Sequence, residues 1–286
     1  MIRVRALQEF AERFAPAGFR PTAFLPSYGL AEATLAVTFS TPGEGVQVDR
    51  VRCGAPLERD RRAVPAPAHG EGAATRARSF AVCGRPMPRY RVEIRDDRNC
   101  RLPDRVIGRV CIQGPSLMRG YFRDLQATRS VVTADGWLDT GDMGYLIDGQ
   151  LVITGRSKDL IIFNGRNIWP QDLEWAIERL EPVRSGDVAA FSVNEDDDRE
   201  RVVVVVECRS TDPAARRELR QMVRATVQKA ASVDCEVVLA PPGSLTFTTS
   251  GKLSRAAAKA NYLSGAIKDV ATFLHGSRAQ IAGGLA

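Results

Sequence analysis

Only five lysines occur in the 286 residues, Lys158, Lys229, Lys252, Lys259 and Lys268, so each can be weighed individually. Lys252 ends the run Thr248-Thr249-Ser250-Gly251, a flexible small-residue loop that carries a compact ammonium suited to anionic oxygens. Asp142 closes Thr140-Gly141-Asp142 and offers a pair of acceptor oxygens. Tyr28-Gly29-Leu30-Ala31-Glu32 combines an aromatic ring, a residue that permits close backbone approach and a carboxylate of the kind that binds hard cations. Arg156 and Lys158 lie within Gly155-Arg156-Ser157-Lys158-Asp159. Singly, each has a plainer reading. Lys252 is then an exposed loop lysine, Thr-Gly-Asp a turn, Arg156 a surface arginine, Tyr28 core packing and Glu32 a helix-start carboxylate.

The longest informative run starts at that Gly155 segment, continues through Leu160-Ile161-Ile162-Phe163-Asn164, and ends Gly165-Arg166-Asn167-Ile168-Trp169-Pro170-Gln171-Asp172-Leu173-Glu174. Locally it is a charged turn, a buried strand, a second turn and a helix start. Whole, it resembles the hinge and lid-opening segment of the acyl-adenylate-forming superfamily, which includes acyl-CoA synthetases, peptide-synthetase adenylation domains and luciferases. Its Gly-Arg-Asn-x-x-Pro-Gln-Asp wording is similar to fatty acyl-AMP ligases. Four further elements follow the family's order: Tyr28-Gly29-x-x-Glu32, Gly114-Pro115-x-x-x-x-Gly120-Tyr121, Thr140-Gly141-Asp142, and Ser250-Gly251-Lys252 with Arg255. Each is weak alone, and the ordered set of five is specific.

The resemblance implies ATP-dependent activation of a fatty acid to acyl-AMP with release of pyrophosphate, followed by acyl transfer to the phosphopantetheine of an acyl carrier protein or polyketide synthase carrier domain. Bringing a carboxylate against the α-phosphate of ATP opposes two anions, and cations and oriented donors must offset that charge. Lys252 is the implied adenylation lysine, Asp142 the acceptor for the ribose hydroxyls, and Arg156 a contact to ribose or phosphate. Tyr28 and Gly29 are placed against adenine, Glu32 on Mg²⁺ and Lys158 at the hinge about which a lid domain swings. The implied fold is α/β and α+β. Residues 1–155 are the downstream part of an AMP-binding N-terminal domain, the end of its α/β layer plus a β-barrel-like subdomain. Residues 156–286 are a compact α+β C-terminal lid.

Several departures qualify the likeness. Ala31 stands where many relatives carry a phosphate-binding threonine, and Thr246-Phe247 replaces a common Pro-Lys. Family members are about twice this length, and their first half carries a Ser/Thr/Gly-rich phosphate loop. No G-x-x-x-x-G-K-[ST] or G-x-G-x-x-G occurs here. The expectation is an incomplete enzyme, inactive or nearly so alone, with a separate N-terminal half as a further partner. Residues 48–84 resemble the insertion that in fatty acyl-AMP ligases restricts the lid motion needed for coenzyme A. A long-chain acyl-CoA synthetase fragment is the enzymatic alternative, and a non-catalytic remnant or carrier-protein-binding module the alternative from another class.

The elements that must position these residues have their own signals. Residues 40–79 are Pro/Gly/Ala/Arg-rich and read as a long surface insertion or loop. Over 80–153, short apolar runs at 90–94, 106–113 and 149–153, with Asp-Gly turns at 135–136 and 148–149, predict a β-rich layer. Beyond residue 155 the pattern predicts a helix from Pro170, strands at 188–193 and 202–206 joined by an acidic turn, a helix behind Asp212-Pro213 and a third strand at 235–239. The predicted boundary lies at 155–159.

Composition narrows the remaining classes. The chain is 44% hydrophobic with mean hydropathy −0.18, enough for a substantial core, and no apolar run reaches the length of a membrane span. Arg3, Arg5, Glu9, Glu12 and Arg13 interrupt the N-terminus, unlike a secretion signal, so a cytoplasmic location is expected. The net charge of +6 comes from basic residues scattered among 34 acids, without the basic stripe of a nucleic-acid binder. The six cysteines have no C-x-x-C pair and only His69 and His275 beside them, which favours buried free thiols over a metal site.

Overall fold

Asp148 and Gly149 both take left-handed backbone, φ 48° and 74°, as a two-residue hairpin turn requires, and this is why an Asp-Gly pair closes the hairpin between residues 147 and 150. The computed structural model describes residues 1–67, 77–194, 200–249 and 251–270, and the chain divides into two units, Met1–Lys158 and Asp159–Ala286.

The first unit begins with α1 (Val4–Phe14) and two short strands, β1 (Ser27–Tyr28) and β2 (Thr38–Phe39). β3 (Val48–Arg52), α2 (Ala55–Glu58), β4 (Ala77–Ala81) and β5 (Arg85–Pro86) follow. Then come β6 (Arg91–Arg95), β7 (Gly108–Gln113), α3 (Leu125–Val131), β8 (Leu138–Ile147) and β9 (Gln150–Arg156). β6 to β9 form an antiparallel meander in chain order, β1-β2-β5 form a small sheet and β3 pairs with β4. Cys83 N donates to Leu151 O at 2.7 Å and Leu151 N to Gly84 O at 2.8 Å, which ties the end of β4 to β9. Val92, Ile94, Val110, Ile112, Leu138 and Leu151 alternate inward and make the core with Ala33, Val37 and Tyr90.

The region read from composition as a surface loop differs in the structure. β3 and β4 pair in register from Val48↔Ala81 to Arg52↔Ala77, and Val51 and Phe80 are fully buried. Only Val51 of β3, and Phe80 with Arg78 and Ala81 of β4, point inward, too short an apolar pattern to stand out among arginines and prolines. Residues 68–76, which include His69, lie outside the described residues, as do His275 and residues 195–199 of the acidic turn expected from Asn194 to Arg201.

The second unit holds the hairpin β10 (Ile161–Phe163) and β11 (Arg166–Ile168), then α4 (Pro170–Ile177), β12 (Val188–Asn194), β13 (Glu200–Glu207), α5 (Pro213–Ala231), β14 (Glu236–Ala240) and α6 (Arg255–Leu263). Pro170 starts α4 where a missing N–H costs nothing, and Asp212 caps α5 by accepting from Ala214 N and Ala215 N. β12 runs antiparallel to the central β13, and β14 parallel to it. Val202 to Val206 are all buried, because β13 is covered on both faces. Val202, Val204 and Val206 pack with Leu173, Ile177, Leu219, Val223 and Val227 from α4 and α5, while Val203 and Val205 pack with Ala258, Leu245 and Ile267.

The six cysteines are free; Cys83, Cys111, Cys208 and Cys235 are buried, Cys53 is half-buried and Cys100 exposed. Burial pushes the thiols of Cys83, Cys111 and Cys235 up to about 11. A thiol-disulfide reagent at pH 8 is expected to modify Cys100 rapidly, Cys53 more slowly and the other four only after denaturant is added. Rapid labelling of Cys83 or Cys235 in the native chain would contradict this packing.

Candidate functional site

Within the first unit three of the sequence-predicted residues meet. Asp142 on β8 and Arg156 on β9 are register partners, and Arg156 Nε donates to Asp142 Oδ1 at 3.2 Å. Tyr28, at the end of β1, reaches the same carboxylate from 114 residues away and donates its hydroxyl to Oδ2 at 2.7 Å. The Thr-Gly-Asp turn sets this orientation. Gly141 sits at φ 71°, its N–H bonds Asp139 Oδ1 at 3.0 Å, and Asp142 N donates to Thr140 Oγ1 at 3.1 Å. Thr140 Oγ1 in turn donates to Val110 O on β7 at 2.9 Å. The Asp142 side chain is 14% exposed and that of Arg156 66%, so the carboxylate is sheltered and the guanidinium faces solvent.

Burial, reinforced by the negative charge of Asp142, raises the Tyr28 phenol well above its ordinary value. It therefore remains a neutral donor at any physiological pH. Each carboxylate oxygen of Asp142 holds one protein donor and keeps a second lone pair, so the group retains capacity for a pair of hydroxyls.

Gly29 follows Tyr28 directly. A Cβ there would lie 1.6 Å from the Leu35 carbonyl oxygen, so only glycine fits. The remainder of this loop is bound to the Gly-Pro-x-x-x-x-Gly-Tyr element. Met118 N donates to Glu32 O at 2.7 Å, Ser116 Oγ to Ala33 O at 2.8 Å, and the Tyr121 hydroxyl to Glu32 Oε1 at 2.8 Å. Tyr90 and Ser116 share a further hydroxyl contact. The hydrogen bond from Tyr121 orients Glu32, and raises the Tyr121 phenol in turn. Among the described residues no three His, Cys, Asp or Glu groups gather as a metal site. A lone half-buried carboxylate fits Mg²⁺, which keeps several waters and takes substrate phosphates as ligands.

Lys158 is exposed in a single 3₁₀ turn, Ser157–Asp159, and is the last residue of the first unit. Lys252 belongs to the second unit. It ends a tight turn closed by Thr248 N to Lys252 O at 2.8 Å, Lys252 N to Thr248 Oγ1 at 3.1 Å and Gly251 N to Thr248 O at 2.8 Å. Gly251 takes φ 74°, and Ser250 lies outside the described residues. Lys252 is exposed, and its ammonium makes no ion pair with a described residue.

Sequence reasoning gave no role to the residues that anchor this turn. Arg255, the first residue of α6, donates from Nε to Glu174 Oε1 at 2.7 Å, from Nη2 to Glu174 Oε2 at 2.6 Å and from Nη1 to Asp159 Oδ2 at 2.7 Å. Burial alone would lower the Arg255 pKa, but the two carboxylates outweigh it and hold the group above its ordinary value. One signal was present: Glu174 lies between the core positions Leu173 and Ile177 on α4, where an unpaired carboxylate would be costly.

The AMP-binding enzyme family model matches residues 2–122. A putative acyl-CoA synthetase of Caulobacter vibrioides is 47% identical over 270 residues, covering 94% of this chain and 46% of the relative. The medium-chain-fatty-acid–[acyl-carrier-protein] ligase JamA of Moorena producens is 36% identical over 282 residues, 93% of this chain and 46% of the relative. A solved structure from a study of fatty acyl-adenylate ligases of E. coli and L. pneumophila superposes with TM-score 0.82 at 41% identity, covering 91% of this chain and 45% of that one. The chain spans about half the length of the curated relatives it matches.

Gly29→Ala is expected to force the Leu35 carbonyl aside and destabilise the first unit by about 3 kcal/mol, a fall in unfolding midpoint of roughly 10 °C. Tyr28→Phe, which removes one hydrogen bond and leaves the ring in place, is expected to cost about 1 kcal/mol. Thermal unfolding of the purified variants, followed by circular dichroism, measures both.

Proposed function

This chain belongs to the acyl-adenylate-forming superfamily of AMP-binding enzymes, and from that we propose that it supplies the nucleoside site and the adenylation lysine of a fatty acyl-AMP ligase. The observation that carries the reading is the convergence of Tyr28 and Arg156 on the sheltered carboxylate of Asp142. That cluster presents an acceptor pair flanked by an aromatic ring and an exposed cation, the requirements of a ribose beside a phosphate.

In the proposed reaction a fatty carboxylate oxygen attacks the α-phosphorus of ATP, the bond to the bridging oxygen of pyrophosphate breaks, and acyl-AMP forms. Asp142 accepts hydrogen bonds from the ribose hydroxyls, and Tyr28 and Gly29 flank the adenine. Lys252 neutralises the carboxylate and α-phosphate oxygens as they approach. Mg²⁺, held at Glu32, supplies charge compensation on the phosphates when bound. Lys158 is the proposed pivot that alternates Lys252 with an acceptor thiol. The acyl group then passes to that thiol, and AMP leaves with the carboxylate-derived oxygen. A carrier-protein phosphopantetheine is the acceptor favoured by the insertion-like segment and by the name of the JamA relative. Coenzyme A is the second reading, favoured by the name of the Caulobacter relative.

The test is fatty-acid-dependent exchange of pyrophosphate into ATP, by the chain alone and by the chain joined to an upstream half that carries a phosphate loop. Exchange is expected only in the joined form, and exchange by the chain alone would refute the proposed incompleteness. In the joined form Lys252→Ala is expected to reduce exchange by about 100-fold or more. Lys158→Pro is expected to impair one half-reaction more than the other. Equal loss in adenylation and thiol transfer would argue against a pivot, and free acyl-CoA as product would select the second reading.

A further inference from the structure

Arg255 stands three residues beyond Lys252, and its side chain is only 15% exposed although it bears a full charge. Its two carboxylate partners come from separate places. Glu174, 6% exposed, lies on α4 and also accepts Ala190 N of the sheet-edge strand β12 at 3.1 Å. Asp159 is the first residue of the second unit and directly follows Lys158. One side chain therefore joins the base of the Lys252 turn to α4, to the edge of the sheet and to the connection between the units.

The turn closes on its own backbone and the Thr248 hydroxyl, Ser254 N donates to Thr246 O at 2.9 Å across its base, and Leu253 packs against the sheet core. A planar guanidinium held by three hydrogen bonds fixes direction as well as distance, which a lysine in its place could not do.

We propose that Arg255 is a positioning residue that locks the Lys252 turn to Asp159 and Glu174, so that the turn and the connection after Lys158 move as one body. This deepens the proposed function and rests on it for its kinetic consequence: rotation about Lys158 would carry Lys252 without slack. The lock itself is a property of the second unit whatever reaction the chain serves.

Two measurements on Asp159→Asn and Arg255→Lys test it. Asp159→Asn leaves the Glu174 pair intact and serves if Arg255→Lys does not fold. In hydrogen exchange on the chain, the amides of Thr248, Gly251, Lys252 and Ser254 are expected to exchange about tenfold faster, with β12, β13 and β14 amides unchanged. Unaltered exchange in the turn, or acceleration spread across the sheet, would overturn the lock. In the joined enzyme Asp159→Asn is expected to lower kcat for adenylation by roughly 10- to 100-fold, with the KM for ATP and thiol transfer from preformed acyl-AMP unchanged. A proportional fall in both half-reactions would reduce Arg255 to a structural group. A wild-type enzyme that adenylates no fatty acid would refute the proposed function, and the exchange data would still decide the lock.

Discussion

A carboxylate withdrawn from water must be matched by donors, and both units are organised around one that is. In the first, Asp142 is satisfied by the Tyr28 hydroxyl and the Arg156 guanidinium. In the second, Glu174 is satisfied by two arms of Arg255 and the Ala190 amide. Leaving a buried carboxylate unpaired costs about 3–5 kcal/mol, a large fraction of a domain's net stability. The partners are therefore fixed by the acid as much as the acid by them. Tyr28 is pinned beside β8, and the loop that follows it inherits its course, through Gly29 against Leu35 and Glu32 against Tyr121.

The two carboxylates differ in what remains available. Asp142 has one partner that solvent can reach and an oxygen pair with lone pairs left, so it can take further donors. Glu174 is enclosed, both oxygens are used by Arg255, and one serves an edge amide as well. The first arrangement suits recognition and the second suits construction. The sheet explains the contrast. β13 is covered on both faces, so α6 and α4 pack on opposite sides of it, and the link between them runs around the β12 edge at Glu174.

Much of this fold was legible where local chemistry agrees with burial. Val202 to Val206 announce a strand covered twice, Asp212-Pro213 announces a capped helix, and Asp148-Gly149 announces its hairpin. β3 and β4 were not legible, because Val51 stands alone between two arginines, Phe80 is preceded by Arg78 and Ser79, and their pairing spans 26 to 34 residues of loop-like composition. The motif order named Tyr28 and Asp142 without indicating that they touch. A separation of 114 residues is closed by the meander and the β1-β2-β5 sheet, which no local pattern encodes. Arg255 was visible only as the last letter of a motif, since its function depends on Asp159 and Glu174, 96 and 81 residues earlier.

The placement of cations follows from the same electrostatics. A cation that must meet two approaching anions cannot already be neutralised by the protein, and Lys252 is exposed, on a turn closed by backbone hydrogen bonds and the Thr248 hydroxyl. Such a group is poorly located on its own, because a four-carbon stem on a glycine-containing turn samples many positions. Arg255 has the opposite properties: fully committed to carboxylates, it is unavailable to any substrate but well defined in space. Under the proposed function the two are complementary. On that reading the charge that reacts is separated by three residues from the charge that locates it, and neither residue type could serve in the other's position.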